Sequence, residues 1–407
     1  MHIAYLLFQF LIIASVLVDA LMGYLFFSEG VWAAYGMVVR GGLFLLICFF
    51  FFLINPSFLL KEKFFVCIVL ICTILFAINS EVTEIWRGYL YSRHMLYLYG
   101  LFGMVKILSV FIFIEILTYK RVASTNDFLF KMMSLIFLLY PCSIIVGYVF
   151  EIEWMNTYSD SIRPGVKGIV NGQNELAGLI LMSGTWFVLR QVKEGKSALL
   201  PILLVITAGI IGSTKASIGV SLALFVFFLP FLLKNKKRIF YWFLLIGTAA
   251  AVAFNVERIL EKESVVRFVN YFIYNFYLSG DILHTLLSGR LSKVTQILTE
   301  AFNSNPLHLF LGGYPAGGRR TEMDFIDVFL TFGPFGGIYI LYRYWLVITR
   351  FSLKNDDSSS VTKRFGLIYM GIACLAGHIL FSISLSIYLA VLIFYSSCPA
   401  KFSTKQP

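Results

Sequence analysis

The chain has 407 residues, of which 59% are apolar, 17% aromatic and 14% charged, with a formal charge of +11. Soluble chains average about 45–50% apolar and about 25% charged residues, so this excess of apolar surface requires lipid, and a soluble enzyme is excluded. The basic balance by itself suits nucleic acid, but in a membrane chain it is first an orientation signal, and nucleic acid is dropped as a partner.

Twelve apolar segments follow one another: 3–27, 31–54, 64–79, 100–118, 128–150, 170–189, 198–211, 216–233, 239–254, 325–349, 365–377 and 384–397. At about 20 residues per crossing they predict an all-α, polytopic membrane protein with about twelve transmembrane helices. The first run lacks a basic leader and a cleavage site, and it is read as a retained helix. Assigning loops to alternate sides places seventeen Lys and Arg on one face, among them Lys193, Arg238 and Arg364, against five in the short loops opposite: Arg87, Arg93, Arg163, Lys167 and Lys215. The cytoplasmic bias of basic loops then puts both termini inside. The chain divides into helices 1–9 over 1–254, a large outer loop over 255–323, and helices 10–12 with a cytoplasmic tail over 324–407. Within the loop, Leu291, Val294, Ile297, Leu298, Ala301 and Phe302 recur at helical spacing. They predict a helix from Ser288 or Arg290 to just before Asn305 and Pro306, followed by a Gly-rich turn at 311–318.

The six cysteines lie in or beside apolar runs and read as small hydrophobes; neither a disulfide framework nor a metal site is expected. No Walker loop, GxGxxG, HExxH or GxSxG pattern occurs, which removes support for ATP-driven transport, dinucleotide chemistry, zinc proteolysis and serine hydrolysis. A DxD-like nucleotide-sugar site is also missing, since Asp356 and Asp357 run into serines in an inner loop. Neither a cofactor nor a metal is expected.

The candidates for chemistry are polar residues near the outer face. Arg40 and Lys106 lie inside spans, and Lys215 sits in a tight outer turn; a cation at membrane depth costs about 2.5–3.5 kcal/mol and needs a reason. One reason is a cationic pocket for a lipid-linked pyrophosphate; the others are an internal ion pair or snorkelling. Arg290 at the start of the loop helix makes an anion site or a surface charge. In 319–327 two arginines, Arg319 and Arg320, stand with Glu322, Asp324 and Asp327, where carboxylates serve as a general base or simply pair with the arginines. Asn171, Asn174 and Glu175 at the mouth of the sixth span suit hydroxyl recognition or helix capping. His378, between the last two apolar segments, is a structural histidine or a base.

Taken in order, 171–177 (NGQNELA), 212–217 (GSTKAS), Ser288-Gly289-Arg290 with Pro306 and Gly312-Gly313, 322–327 (EMDFID) with Gly333 and Gly336, and 377–382 (GHILFS) resemble the bacterial O-antigen polymerase (Wzy) group of the O-antigen ligase/polymerase superfamily. The long outer loop late in the chain is similar as well. The resemblance implies a GT-C-like membrane enzyme with a helical periplasmic cap. It would be a metal-independent, inverting glycosyltransferase of the inner membrane, acting in lipopolysaccharide or other surface polysaccharide biosynthesis. It would move a growing glycan from undecaprenyl pyrophosphate to the terminal sugar hydroxyl of another lipid-linked repeat unit, with a chain-length regulator as a further partner. By position, Lys215 and Arg290 would hold the pyrophosphate, joined by Arg40, Lys106 and Arg319. Glu322, Asp324 or His378 would lie at the acceptor hydroxyl, and Asn171, Asn174 and Glu175 on the glycan. Lys215 stands where relatives often carry Arg and lacks the planar fork. The O-antigen ligase, which delivers the glycan to lipid A core, and a twelve-span flippase are the competing readings.

Overall fold

The computed structural model describes residues 2–29, 33–58, 93–118, 126–157, 165–170, 172–233, 289–304, 306–314, 321–350, 357–375, 377 and 379–398, with isolated positions in 67–74 and 266–287. The expected span at 239–254 lies outside these residues, as does that at 64–79 apart from 67, 70, 71 and 74. The regular structure that is described is helical: α1 (His2–Glu29), α2 (Ala33–Ile54), α3 (Arg93–Thr118), α4 (Asn126–Val149), α5 (Gln173–Glu194), α6 (Leu199–Ile211), α7 (Lys215–Leu233), α8 (Arg290–Ser304), α9 (Leu307–Leu311), α10 (Asp324–Arg350), α11 (Asp357–Leu375) and α12 (Ile383–Ser397). One antiparallel bridge pairs Asn156 with Val166.

Helix α1 shows what solvent this surface is built for. Ile3, Leu6, Phe10, Ile13, Leu17, Leu21 and Tyr24 form an exposed stripe at helical spacing, while Phe8, Leu11, Ile12, Ser15 and Asp19 face inward. A water-facing stripe would be polar; an apolar one of this length belongs in lipid. Stretches long and apolar enough to cross a bilayer lie at Ile3–Leu25, Asp127–Val149 and Asp324–Thr349. Shorter apolar helices occur at Val39–Ile54, Leu199–Ile211, Lys215–Phe228 and Ile383–Ser397. The chain is an α-helical membrane protein.

Helix α12 is the centre of the bundle. Every residue from Ile383 to Ser396 is buried, and the helix packs on α1, α3, α5 and α11. A helix apolar all round belongs in a protein interior or in lipid, and here protein encloses it. Aromatic neighbours pack on it, Phe137 against Tyr388 and Trp186 against Tyr395, with Trp186 donating to Ser134 Oγ at 3.0 Å.

The two ends of the bundle differ. We call the end where α1 finishes and α2 starts the upper end. At the lower end Lys193 Nζ donates to the carbonyls of Tyr395 (2.7 Å), Ser396 (2.7 Å) and Cys398 (2.5 Å), closing the C-terminus of α12 with a cation. Beside it Glu194 is held by Arg190 at 3.0 Å, Lys196 at 2.7 Å and the Tyr395 hydroxyl at 2.7 Å. Burial would raise its carboxyl, but these hydrogen bonds outweigh it and bring the group from 4.5 to about 2. A depressed carboxylate stabilises the fold above its unfolded value and loses that contribution as pH falls from about 4.5 toward 2. Purified Glu194→Gln protein is therefore expected to show a shallower fall of the thermal midpoint with acid across that window. An acid limb identical to the parent's would remove Glu194 from the groups responsible.

Helix boundaries follow the sequence reading at α2, α6, α7 and α12 to within a residue or two. At α11 the helix begins at Asp357, eight residues before the expected start at 365. The serine run read as a loop is its first turn, with Ser358, Ser359 and Thr362 buried and Thr362 Oγ1 donating to the Ser358 carbonyl at 2.9 Å. The loop helix falls where periodicity placed it, Arg290–Ser304, and Pro306 starts the short α9.

Helix α10 is broken at Gly333, whose φ of 70° and ψ of 171° leave the helical region, and Pro334 follows. Pro334 has no N–H, so the Leu330 carbonyl loses its ordinary partner. The segment after α9 supplies a replacement: Tyr314 N donates to Leu330 O at 3.1 Å and Gly313 N to Thr331 O at 2.9 Å. Close approach makes this exchange depend on glycine, because a Cβ on Gly312 would stand 2.4 Å from Gly333 N and one on Gly333 would stand 2.6 Å from Phe310 O.

Candidate functional site

The residues just ahead of α10 are folded by their own side chains. Asp327, in the first turn, accepts from Thr321 N at 2.9 Å and Thr321 Oγ1 at 3.0 Å, and Thr321 Oγ1 accepts from Met323 N at 3.1 Å. These bonds hold the chain ahead of α10 against its first turn, inside the protein: Thr321, Asp324 and Asp327 are all fully buried. Asp324 Oδ2 accepts two backbone N–H groups, from Ile379 and Leu380, both at 2.8 Å. The carboxylate expected near an acceptor hydroxyl is thus closed to solvent, and it ties the α11–α12 turn to the start of α10.

Glu322 faces the other way. Its φ of 61° is uncommon outside glycine, and it turns the chain between two buried neighbours. Gly377, with φ of 60°, lies against it so closely that a Cβ would sit 2.1 Å from the Glu322 carbonyl oxygen. The Glu322 carboxylate meets Lys293 Nζ at 2.6 Å and Arg290 Nε at 3.5 Å, and its side chain is one-third exposed. Arg290 reaches across to the end of α11, donating to Leu375 O at 3.1 Å. Three segments expected separately from the sequence, at 290, 322 and 377, therefore form one junction. Lys293 was not singled out by the sequence reading. Its signal was available, one turn after Arg290 on the same helix.

Lys215 opens α7. Thr214 Oγ1 caps the helix by accepting from Ser217 N at 3.0 Å, and Lys215 Nζ donates to the Thr285 carbonyl. Thr285 is five residues from Arg290, so their Cα atoms lie within about 18 Å. The segment around Val166 flanks the same turn, with Val166 N on Ile211 O at 3.2 Å and Thr157 Oγ1 on Gly212 O at 3.2 Å. Lys167 in that segment is pushed below its ordinary value by burial, with the charge of Asp19 pulling the other way. Asn174 and Glu175 occupy the first turn of α5 and are half-buried. There Glu175 suits the positive end of the helix.

Arg40 is paired. Its guanidinium meets the carboxylate of Asp19 and donates to Ser384 Oγ at 2.9 Å, while Asp19 Oδ2 accepts from the Tyr140 hydroxyl at 2.9 Å and Tyr140 meets Tyr388 at 2.9 Å. Of the alternatives weighed for Arg40, the structure places the internal ion pair. Lys106 Nζ lies 5.2 Å from the Phe102 ring centre, and Phe102 packs on Gly41, next to Arg40. The sequence reading followed cations and passed over Asp19, although an acid and a base in consecutive apolar runs is itself a signal of pairing. Arg319, His378 and Asn171 lie outside the described residues.

No family model matches the chain, and no curated protein matches it. Fold and site define an α-helical membrane protein whose upper end gathers Arg40, Lys167, Lys215, Arg290 and Lys293 with Glu175 and Glu322. Such an end can bind an anion, and beside Arg290 and Lys293 it holds a partly exposed carboxylate, Glu322.

Proposed function

We propose that this protein is a surface polysaccharide polymerase of the O-antigen polymerase type. It has about twelve spans, both termini in the cytoplasm, and the upper end at the outer face of the inner membrane under the 255–323 cap. The growing glycan arrives on undecaprenyl pyrophosphate and is passed to the terminal hydroxyl of a second lipid-linked repeat unit. The observation carrying this reading is the junction of Arg290, Lys293, Glu322 and Gly377, which unites three of the short motifs on which the resemblance rests. Pyrophosphate is already a good leaving group. Fixed cations that meet its developing charge, with a carboxylate that takes the proton from the acceptor hydroxyl, carry most of such a reaction.

In this scheme Arg290 and Lys215 hold the pyrophosphate, and Glu322 is the carboxylate nearest the acceptor. The anomeric carbon–phosphate oxygen bond breaks, the new glycosidic bond forms with inversion, and the hydroxyl proton leaves to the carboxylate. Arg290→Ala or Lys215→Ala is expected to lower chain extension by about 10²–10³-fold, and Glu322→Gln by about 10²–10⁴-fold. The assay is the glycan ladder of a deletion host complemented with each variant, at matched levels of folded protein. Single repeat units at the surface with the ladder gone support the polymerase. Long chains stranded on the lipid carrier would make it a ligase, repeats trapped inside would make it a flippase, and a normal ladder in the variants would free those residues from the mechanism.

A further inference from the structure

The corner between α8 and α9 carries exposed apolar side chains. Helix α8 buries Ile297 and Ala301 against Tyr314 and Leu330 of the chain leading into α10 and of α10 itself. Its polar side carries Lys293, Thr295, Gln296 and Thr299. Outside both faces stand Phe302, 57% exposed, and on α9 Leu307, Phe310 and Leu311 at 57%, 64% and 47%. Isolated exposed apolar residues need no account, but four within ten positions form a patch.

The depth of this patch is set by hydrogen bonds already described. Tyr314 and Gly313 are fastened to Leu330 and Thr331, six and seven residues into α10, or about 10 Å along its axis. The stretch Asp324–Thr349 is long and apolar enough to cross a bilayer, and Leu330 and Thr331 lie inside it, ahead of the break at Gly333. The fastening point therefore belongs to the spanning segment. Irregular backbone survives there only if enclosed by protein. Gly312, Gly313 and Tyr314 are buried, and the N–H groups of Gly313 and Tyr314 are taken by α10. Below the break α10 carries Phe335, Ile338 and Tyr342, all exposed.

We infer that α8–α9 is an interfacial element seated in the upper leaflet, with Phe302, Leu307, Phe310 and Leu311 among lipid chains and the Lys293 side toward water. Its occupant is the bilayer itself, and the inference stands on the membrane placement of α10 alone, independent of the polymerase reading. An amphipathic helix that shares a lipid-facing surface with a spanning helix is stabilised by the same burial of apolar area.

The test uses the natural chain in nanodiscs of phosphatidylethanolamine and phosphatidylglycerol containing a phospholipid with a diazirine in its acyl chain. After irradiation, adducts are expected on peptides covering 302–311 as well as on those covering 335–342. Adducts at 335–342 with none at 302–311 would overturn the inference. A second readout is a spin label at Phe310→Cys, compared with one at Thr299→Cys, in a background with the native cysteines replaced. Oxygen is expected to be the better relaxant at 310 and a water-soluble nickel complex at 299; the nickel complex prevailing at 310 would also overturn it.

Discussion

Asp324→Ala is expected to lower the thermal midpoint of the purified protein sharply and, if the proposed function holds, to remove the glycan ladder, although Asp324 is closed to solvent. The carboxylate accepts N–H groups from Ile379 and Leu380 at 2.8 Å in a fully buried setting. Removing it strands both donors at about 1–3 kcal/mol each, so about 2–6 kcal/mol is at stake. Whole domains are stable by only about 5–15 kcal/mol. Asn retains one carbonyl oxygen, so Asp324→Asn is expected to fall between the parent and Asp324→Ala in midpoint, with activity following stability. Unfolding in detergent beside the ladder assay separates two roles. If Asp324→Ala melts with the parent yet makes no polymer, Asp324 acts on substrate and the positioning role is wrong.

The geometry explains why that one carboxylate matters to its neighbours. Asp324 draws the 379–380 turn onto the start of α10, and that turn carries Gly377 against the Glu322 carbonyl. The left-handed backbone at Glu322 is a strained conformation held by what surrounds it, and it points the carboxylate toward Arg290 and Lys293. A structural acid therefore sets the direction of the solvent-facing one.

Much of the fold was legible because lipid selects on composition and length. Apolar runs marked the helices, and Pro306 marked the end of the loop helix. The start of α11 was not legible, since Asp357-Ser358-Ser359-Ser360 has the composition of a loop and becomes helical by packing its hydroxyls inward, Thr362 bonding back to Ser358. Local sequence showed that 319–327 is dense in charge but not which carboxylate faces in. Asp324 is decided by amides 55 and 56 positions away, and Glu322 by a glycine equally remote. The break in α10 was half visible: Gly333-Pro334 announces lost hydrogen bonds, while the donors that replace them, on Gly313 and Tyr314, are set by the tertiary fold.

The buried pair of Asp19 and Arg40 yields the second large effect. Removing either partner alone leaves an uncompensated charge inside the bundle, at a cost of about 3–5 kcal/mol. Asp19→Leu and Arg40→Met singly are thus expected to destabilise the protein strongly. Together they remove both charges while keeping most of the volume, and the double variant is expected to regain most of the lost midpoint. The double variant also gives up the Tyr140 bond to Asp19 and the Arg40 bond to Ser384, while the Tyr140 and Tyr388 hydroxyls still have each other as partners. Thermal unfolding of the two single variants and the double measures the coupling. A double variant no more stable than its parts would show that the charges do not act as a unit. If the double variant is stable, its ladder decides what Arg40 is for. Polymer at the parent level assigns the pair to the architecture and removes Arg40 from the phosphate pocket. Its absence on a well-folded protein keeps the guanidinium in the reaction, with Asp19 holding it in position.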